Sequence, residues 1–127
     1  MADAPDLFGD IRKFHEKFGL DYNGPPRALP DDLEEFRIKF MQEELDEYKD
    51  PENGLAHKLD ALVDLVYVAL GTAYLAGFPF NEAWSRVHEA NMKKVKALRP
   101  EDSKRGSVHD VVKPPGWAPP SLSDLVK

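Results

Sequence analysis

Apolar residues recur at helical spacing in four stretches of the chain, and no stretch alternates with the period of two expected of a strand. The first predicted helix covers residues 5–18, with Leu7, Ile11, Phe14 and Phe18 on one side and Gly19 as terminator. A loop, YNGPPRALP, leads to a second helix over residues 30–50, where Leu33, Phe36 and Phe40 form an apolar ridge and Asp31 and Asp32 suit the positive end. The third, over residues 55–76, reads LAHKLDALVDLVYVALGTAYLA, apolar almost all round and so expected to be buried on most faces. Asn81 is a plausible cap for a fourth helix over residues 81–98, with Trp84, Val87, Val95 and Leu98 as its stripe. The chain beyond carries five of the eleven prolines. The pattern therefore predicts an all-α protein, a four-helix bundle over residues 1–98 followed by an extended Pro-rich C-terminal tail over residues 99–127.

Acids interrupt this pattern in two places. At about 100° per residue, Glu43, Glu44 and Glu47 project within about 60° of Phe40, on the side of the ridge, while Glu35, Lys39 and Asp46 point away as a solvated face should. In the third helix Asp60 and Asp64 stand four residues apart in otherwise apolar sequence, with His57, Tyr67 and Gly71 on the same stripe. An unpaired ionised carboxylate there is costly, so it must be protonated, paired with a cation or coordinated to a metal. The turn KDPENG makes the two helices a hairpin. At about 1.5 Å per residue, Glu44 and Asp60 each lie about 8 Å from that turn, with Glu47 about 3 Å, Glu43 about 9 Å and Asp64 about 14 Å away. The five acids share overlapping levels, within reach of one or two ions.

Hard oxygen donors in a chain without cysteine fit Mg²⁺ or Mn²⁺. No EF-hand loop is present, and a di-iron site of the Glu-x-x-His kind is excluded, because the residues three before His15, His57, His88 and His109 are Arg12, Gly54, Ser85 and Gly106. Alone, EELDE reads as an acidic solvated surface. Asp60 and Asp64 in the apolar helix turn the reading to a metal site. His57 reads as a helix-start or core histidine before a ligand, and Tyr67 as a core residue with its hydroxyl on a carboxylate.

Charge and length narrow the function further. A chain of 127 residues suits one domain, and a formal net charge of −6 argues against duplex nucleic acid as a partner. The start, MADAPDLFGD, lacks a basic region followed by an apolar run, and the apolar third helix contains acids, so a cytoplasmic protein with no membrane partner is expected. An anionic ligand would enter through bound cations. In the fourth helix Asn91 and Lys94 fall inside the apolar stripe; Lys94 either neutralises an acid or holds a substrate phosphate. Arg99, Lys104, Arg105 and Lys113 make the tail basic, suited to closing over a polyphosphate or simply to solubility. Phe8, Phe14, Tyr22 and Trp84 are core residues or the lining of a base pocket.

EELDE, LDALVDLVYVALGTA, EANMKK and KPPGW together resemble the all-α nucleoside triphosphate pyrophosphohydrolases, the MazG-like enzymes related to dimeric dUTPases and phosphoribosyl-ATP pyrophosphohydrolase. The resemblance spans residues 33–117 and is nearest to short phage-type members. Its core is Glu-Glu-x-x-Glu, present as Glu43, Glu44 and Glu47, followed by Glu-x-x-Asp on the next helix. There the residue three before Asp64 is Ala61, and Asp60, one position earlier, takes the missing role on the same side of the helix. The resemblance implies a helical bundle working as a homodimer or homotetramer. It also implies two or three Mg²⁺ or Mn²⁺ ions and attack of metal-activated water on the α-phosphorus, giving a monophosphate and pyrophosphate. Glu44, Glu47 and Asp64 become primary ligands, Asp60 a further one, and Glu43 a ligand to a second ion or the base for the water. Asn91 and Lys94 match an Asn-x-x-Lys pair that contacts sugar or phosphates. Lys113 and Trp117 belong to a closing tail in which Trp117 covers the base. The substrate leans to dGTP or GTP, with dUTP, dCTP or phosphoribosyl-ATP as enzymatic alternatives. A non-catalytic helical oligomer that binds a metal or a protein partner is the alternative from another class.

Overall fold

A hairpin of two long helices, with a shorter one laid against it, forms the first of two compact units in the computed structural model, which describes residues 4–127. The first three residues of MADAPDLFGD lie outside the described residues. The elements in this unit are α1 (Leu7–Lys17), α2 (Asp31–Lys49) and α3 (Leu55–Leu75), and both α1 and α2 pack on α3. Asp6 caps α1 by accepting from the Gly9 amide at 3.0 Å, and Gly19 ends it with φ 68°, a left-handed conformation open to a residue without Cβ. The KDPENG turn is closed by its own side chains: the Glu52 amide donates to Asp50 Oδ1 at 2.9 Å and Asn53 Nδ2 donates to the Glu47 carbonyl at 2.9 Å. Lys58 Nζ donates to the Tyr48 carbonyl at 2.6 Å, satisfying the open end of α2.

The core of this unit is Ile11, Leu29, Leu70, Tyr74, Leu75 and Ala76, with Phe8, Tyr22, Leu33 and Phe80 packed partly buried against it. Phe8 and Tyr22 thus have the structural role open to them, whereas Phe14 is exposed and meets Tyr67 edge-on at 5.3 Å. The loop after α1 is tied to the end of α3: Arg27 donates through Nε to the Leu75 carbonyl at 3.0 Å, and the Tyr22 amide donates to the Tyr74 hydroxyl at 3.1 Å.

Two expectations about faces are corrected here. Phe36 is 57% exposed rather than part of the ridge, and the buried positions of α2 are Arg37 and Glu44, two turns apart. The stripe is rotated because Arg37 reaches α3 with hydrogen bonds that a phenyl ring cannot make. The third helix is buried on most faces only in its C-terminal half, at Val68, Leu70, Gly71, Tyr74 and Leu75; in its N-terminal half Ala61 is buried while Leu55, Leu59, Leu62, Val63 and Val66 are exposed. α1 and α2 cover the C-terminal half of α3 and leave one side of its N-terminal half open.

The second unit, Asn81–Leu125, begins one residue into α4 (Phe80–Asn91). The helix stops at Asn91 instead of running to residue 98, and Leu98 is 83% exposed. Val95 joins a short strand, β1 (Val95–Lys96), paired antiparallel with β2 (Val111–Val112) in the register Val95 to Val112 and Lys96 to Val111. A β-branched valine among Lys93, Lys94 and Lys96 favours this pairing over another helical turn, which would stack like charges. The segment after Arg99 is accordingly folded over part of its length. A 3-10 turn at Pro100–Asp102 precedes a network in which Asp110 accepts from Ser103 Oγ at 2.6 Å and from Arg105 Nη2 at 2.7 Å. Arg105 and Ser103 hold the Asp110 carboxyl down at about 2, so it stays ionised. Arg86 ties α4 to the chain end through a forked pair with Asp124 at 2.7 and 3.1 Å.

Candidate active site

The hairpin turn sets the levels at which the acids of α2 and α3 meet. Glu44, on the α3-facing side of α2, is buried at 8% exposure, and its Oε2 has no hydrogen-bond partner. Asp64 is half-buried, and Glu47 and Asp60 are exposed. Burial raises the Glu44 pKa first, followed by the nearby charges of Glu47 and Asp64 and then of Asp60. Asp64 is raised likewise by burial, then by Asp60 and Glu47. Glu47 and Asp60 are therefore close enough to oppose the ionisation of Glu44 and Asp64, and among the described residues none of the four is in an ion pair.

Such a group has three physical outcomes: partial protonation, expansion into water, or a bound cation. The donor set, carboxylate oxygens with one buried oxygen unsatisfied, fits a hard divalent ion. Among the described residues no three Asp, Glu or His side chains are already arranged around a common ion position. The donors are in one neighbourhood without forming a closed cage, as expected of flexible carboxylates held apart by their own charge.

The sequence candidates separate accordingly. Glu44, Glu47, Asp60 and Asp64 are brought together. Glu43 is exposed and is not among the groups that act on Glu44 or Asp64. His57 is exposed too. Tyr67 lies against Phe14, and its hydroxyl makes no hydrogen bond among the described residues, so the expected contact with a carboxylate is absent. What sequence reasoning missed is Arg37, buried two turns before Glu44 on the same helix face. Its spacing of seven residues from Glu44 was the available signal.

The remaining candidates lie in the second unit. Asn91 is the exposed last residue of α4, and its carbonyl accepts from the Lys94 amide at 3.1 Å. Trp117 donates through Nε1 to the Ala90 carbonyl at 2.7 Å. That bond fixes the indole, and the ammonium groups of Lys94 and Lys113 lie 5.2 and 5.1 Å from its ring centre. The structure thus brings Lys94, Lys113 and Trp117 together within this unit, with Asn91 one turn away.

No single helix among the described residues is long and apolar enough to cross a membrane. No curated protein matches the chain. Residues 11–91, which contain all three helices of the carboxylate unit from Ile11 onward and every one of its clustered acids, match the phosphoribosyl-ATP pyrophosphohydrolase family. On that match, and with an architecture that is helical over the same span, the chain belongs to the phosphoribosyl-ATP pyrophosphohydrolase family of all-α pyrophosphohydrolases.

Proposed function

We propose that this pyrophosphohydrolase converts a (deoxy)nucleoside triphosphate, with dGTP and GTP the preferred substrates, to the monophosphate and pyrophosphate in the presence of Mg²⁺ or Mn²⁺. The observation that carries the reading is Glu44, whose buried carboxylate oxygen has no partner and whose neighbours are three further acids. A purely structural cluster would be expected to hold a lysine or arginine among them.

Glu44, Glu47, Asp60 and Asp64 would hold the ions. Two or three such ions, when bound, neutralise the triphosphate, polarise the α-phosphoryl group and lower the pKa of the attacking water. The water oxygen bonds to the α-phosphorus while the bond to the bridging oxygen of the β-phosphate breaks, and pyrophosphate leaves. The proton lost by the water passes to a carboxylate. Glu43, next to Glu44 in the chain and exposed, would take that role or ligate a second ion. Asn91 and Lys94 would contact the sugar or phosphates of the substrate, and Lys113 and Trp117 would bind it from the C-terminal tail.

The exposed apolar face of α3 supports a homodimer or homotetramer, and the acidic net charge supports a cytoplasmic enzyme without duplex nucleic acid or membrane as partner. The family match makes phosphoribosyl-ATP the second substrate to examine. The test is pyrophosphate release from the common dNTPs and NTPs, dUTP and phosphoribosyl-ATP, with Mg²⁺ or Mn²⁺, beside Glu47→Ala and Asp64→Ala. One nucleotide turned over, with both substitutions lowering kcat roughly a hundredfold or more in folded protein, is the expected result. No turnover of any substrate under either metal would leave the carboxylates as a structural or partner-binding feature.

A further inference from the structure

The loop between β1 and β2 borders an open cavity of about 410 Å³ within the second unit, lined by Lys94, Asp102, Lys104, Arg105, Asp110 and Lys113 together with β2. The lining carries four cationic side chains against two acids, in a chain whose net charge is −6. Both acids are already committed. Asp110 is paired with Arg105 at 2.7 Å, and Asp102 with Arg99 at 3.3 Å. Lys94, Lys104 and Lys113 make no ion pair among the described residues.

Two of the three ammonium groups lie over a fixed ring, and the third extends from an ordered stretch of backbone. Lys94 and Lys113 flank one indole ring whose own N–H is tied to the Ala90 carbonyl, and Lys113 follows β2 directly. Lys104 sits between Ser103 and Arg105, both of which bond the Asp110 carboxylate. Arg105 is therefore a structural cation, and the lysines are the ones left for a ligand. Like charges gathered on a fixed frame without counter-charges cost free energy, and a multiply charged anion relieves that cost.

We propose that this cavity is a binding site for a condensed phosphate chain, inorganic pyrophosphate or the terminal phosphates of a nucleotide, held by Lys94, Lys104 and Lys113. Lysine ammonium groups suit such a ligand as mobile point charges, and the volume lies within the range of small-molecule sites. The inference deepens the pyrophosphohydrolase reading, since pyrophosphate is the leaving group there, but it requires neither metal nor turnover and is tested without them.

The experiment is calorimetric titration of the full chain with inorganic pyrophosphate in excess EDTA, at low and physiological salt, with inorganic sulfate as a control anion. Lys104→Gln and Lys113→Gln are each expected to weaken pyrophosphate binding about tenfold, and the pair about a hundredfold. Lys93→Gln, outside this cavity and paired with Glu89 at 3.9 Å, is expected to leave it unchanged. Circular dichroism and the Trp117 fluorescence show whether the variants keep their fold. The inference is overturned if pyrophosphate binds no better than sulfate, if Lys93→Gln weakens it as much as Lys104→Gln, or if binding needs Mg²⁺ and disappears in Glu47→Ala alone. Turnover without lysine-dependent pyrophosphate binding removes the cavity and keeps the enzyme. Lysine-dependent binding without turnover of any nucleotide does the reverse.

Discussion

Arg37 and Glu44 stand two turns apart on the same face of α2, both buried, and the cation does not serve the anion. Arg37 gives Nη2 to the Val68 carbonyl at 2.9 Å and Nε to Thr72 Oγ1 at 3.1 Å. Its charge is committed to joining α2 to α3. Glu44 is left facing Glu47, Asp64 and Asp60, which raise its pKa together with burial. One helix face thus carries a cation that holds the fold and an anion that the fold alone does not satisfy.

Glu44→Gln should therefore stabilise the metal-free protein while removing activity. Burial first, and the neighbouring charges after it, make the ionised carboxylate unfavourable, so the amide should raise the unfolding free energy by about 1–3 kcal/mol at neutral pH. The gain has a defined pH dependence. A carboxyl with a folded pKa above its unfolded one loses stability as pH rises through the folded value and is fully protonated in both states well below the ordinary 4.5. The advantage of Glu44→Gln, measured by urea unfolding with EDTA, should shrink as pH falls from 7 and vanish below that value. An advantage that is constant with pH would mean that Glu44 is not the strained group.

Divalent ions should reverse this order. If Mg²⁺ or Mn²⁺ bind the four clustered acids, an ion at one hundred times its Kd adds about 2.7 kcal/mol to the stability of the native state. The Tm of the wild type should rise by several degrees with Mn²⁺ and return with EDTA. Glu44→Gln and Asp64→Asn should respond weakly or not at all. Equal shifts in wild type and both variants would place the ions elsewhere.

Much of this was legible in the chain, and the failures have physical causes. The α2–α3 hairpin was readable because Pro51, Asn53 and Gly54 interrupt two long helical patterns, and Asp64 because an acid in apolar sequence is costly. The rotation of the buried stripe toward Arg37 was not readable, since hydropathy ranks a phenylalanine above an arginine. A hydrogen-bonded guanidinium is recognised only when its acceptors on α3 are known. The end of α4 was missed for a related reason: Val95 and Leu98 fit a helical period, but the partner that turns Val95 into a strand, Val112, is seventeen residues away. Glu43 shares the sequence motif of Glu44, yet adjacent residues on a helix differ by about 100°, enough to separate an exposed side chain from a buried one.

Gly71 should be intolerant of even one methyl group. A Cβ built there meets Arg37 Nη2 at 2.6 Å and His15 Nε2 at 2.9 Å, and both groups are fixed by hydrogen bonds, His15 through Nδ1 to the Leu20 carbonyl at 3.1 Å. Gly71→Ala should lower the unfolding free energy by about 1–3 kcal/mol despite the better helix propensity of alanine. Unchanged stability in urea would show that the α1–α2–α3 junction yields more easily than its hydrogen bonds suggest.

His15 adds a separate pH dependence in the same junction. Burial lowers its pKa below 6.5, against the bond to Leu20, with the nearby Arg37 charge acting in the same direction as burial. A histidine with a lowered folded pKa contributes stability that is present above 6.5 and lost as pH falls through the folded value. Between pH 7 and 5 the wild type should lose stability relative to His15→Gln, with the loss levelling off once the folded imidazole is protonated. A difference that does not change over this range would indicate that the junction admits the charged ring.

The exposed side of α3 leads to the last prediction. Leu59 is 65% and Val63 54% exposed, and with Leu55, Leu62 and Val66 they lie within about 60° of one line along the N-terminal half of the helix, on the side away from the buried Ala61. Leu62, Val63 and Val66 also line an apolar cavity of about 310 Å³ with Leu7 and Ile11 of α1. A soluble monomer seldom leaves so continuous a patch in water, and burial at roughly 25 cal/mol per Å² would favour a second copy of the same face. Sedimentation should find a dimer or tetramer, and Val63→Glu combined with Val66→Glu should yield monomer without disturbing Glu44, which lies on the other helix. If the monomer stays folded and still releases pyrophosphate at the wild-type rate, the carboxylate unit is complete in one chain. If it stays folded and turnover is lost, the site needs its neighbour. A wild type that sediments as a monomer at tens of micromolar would remove the self-association altogether.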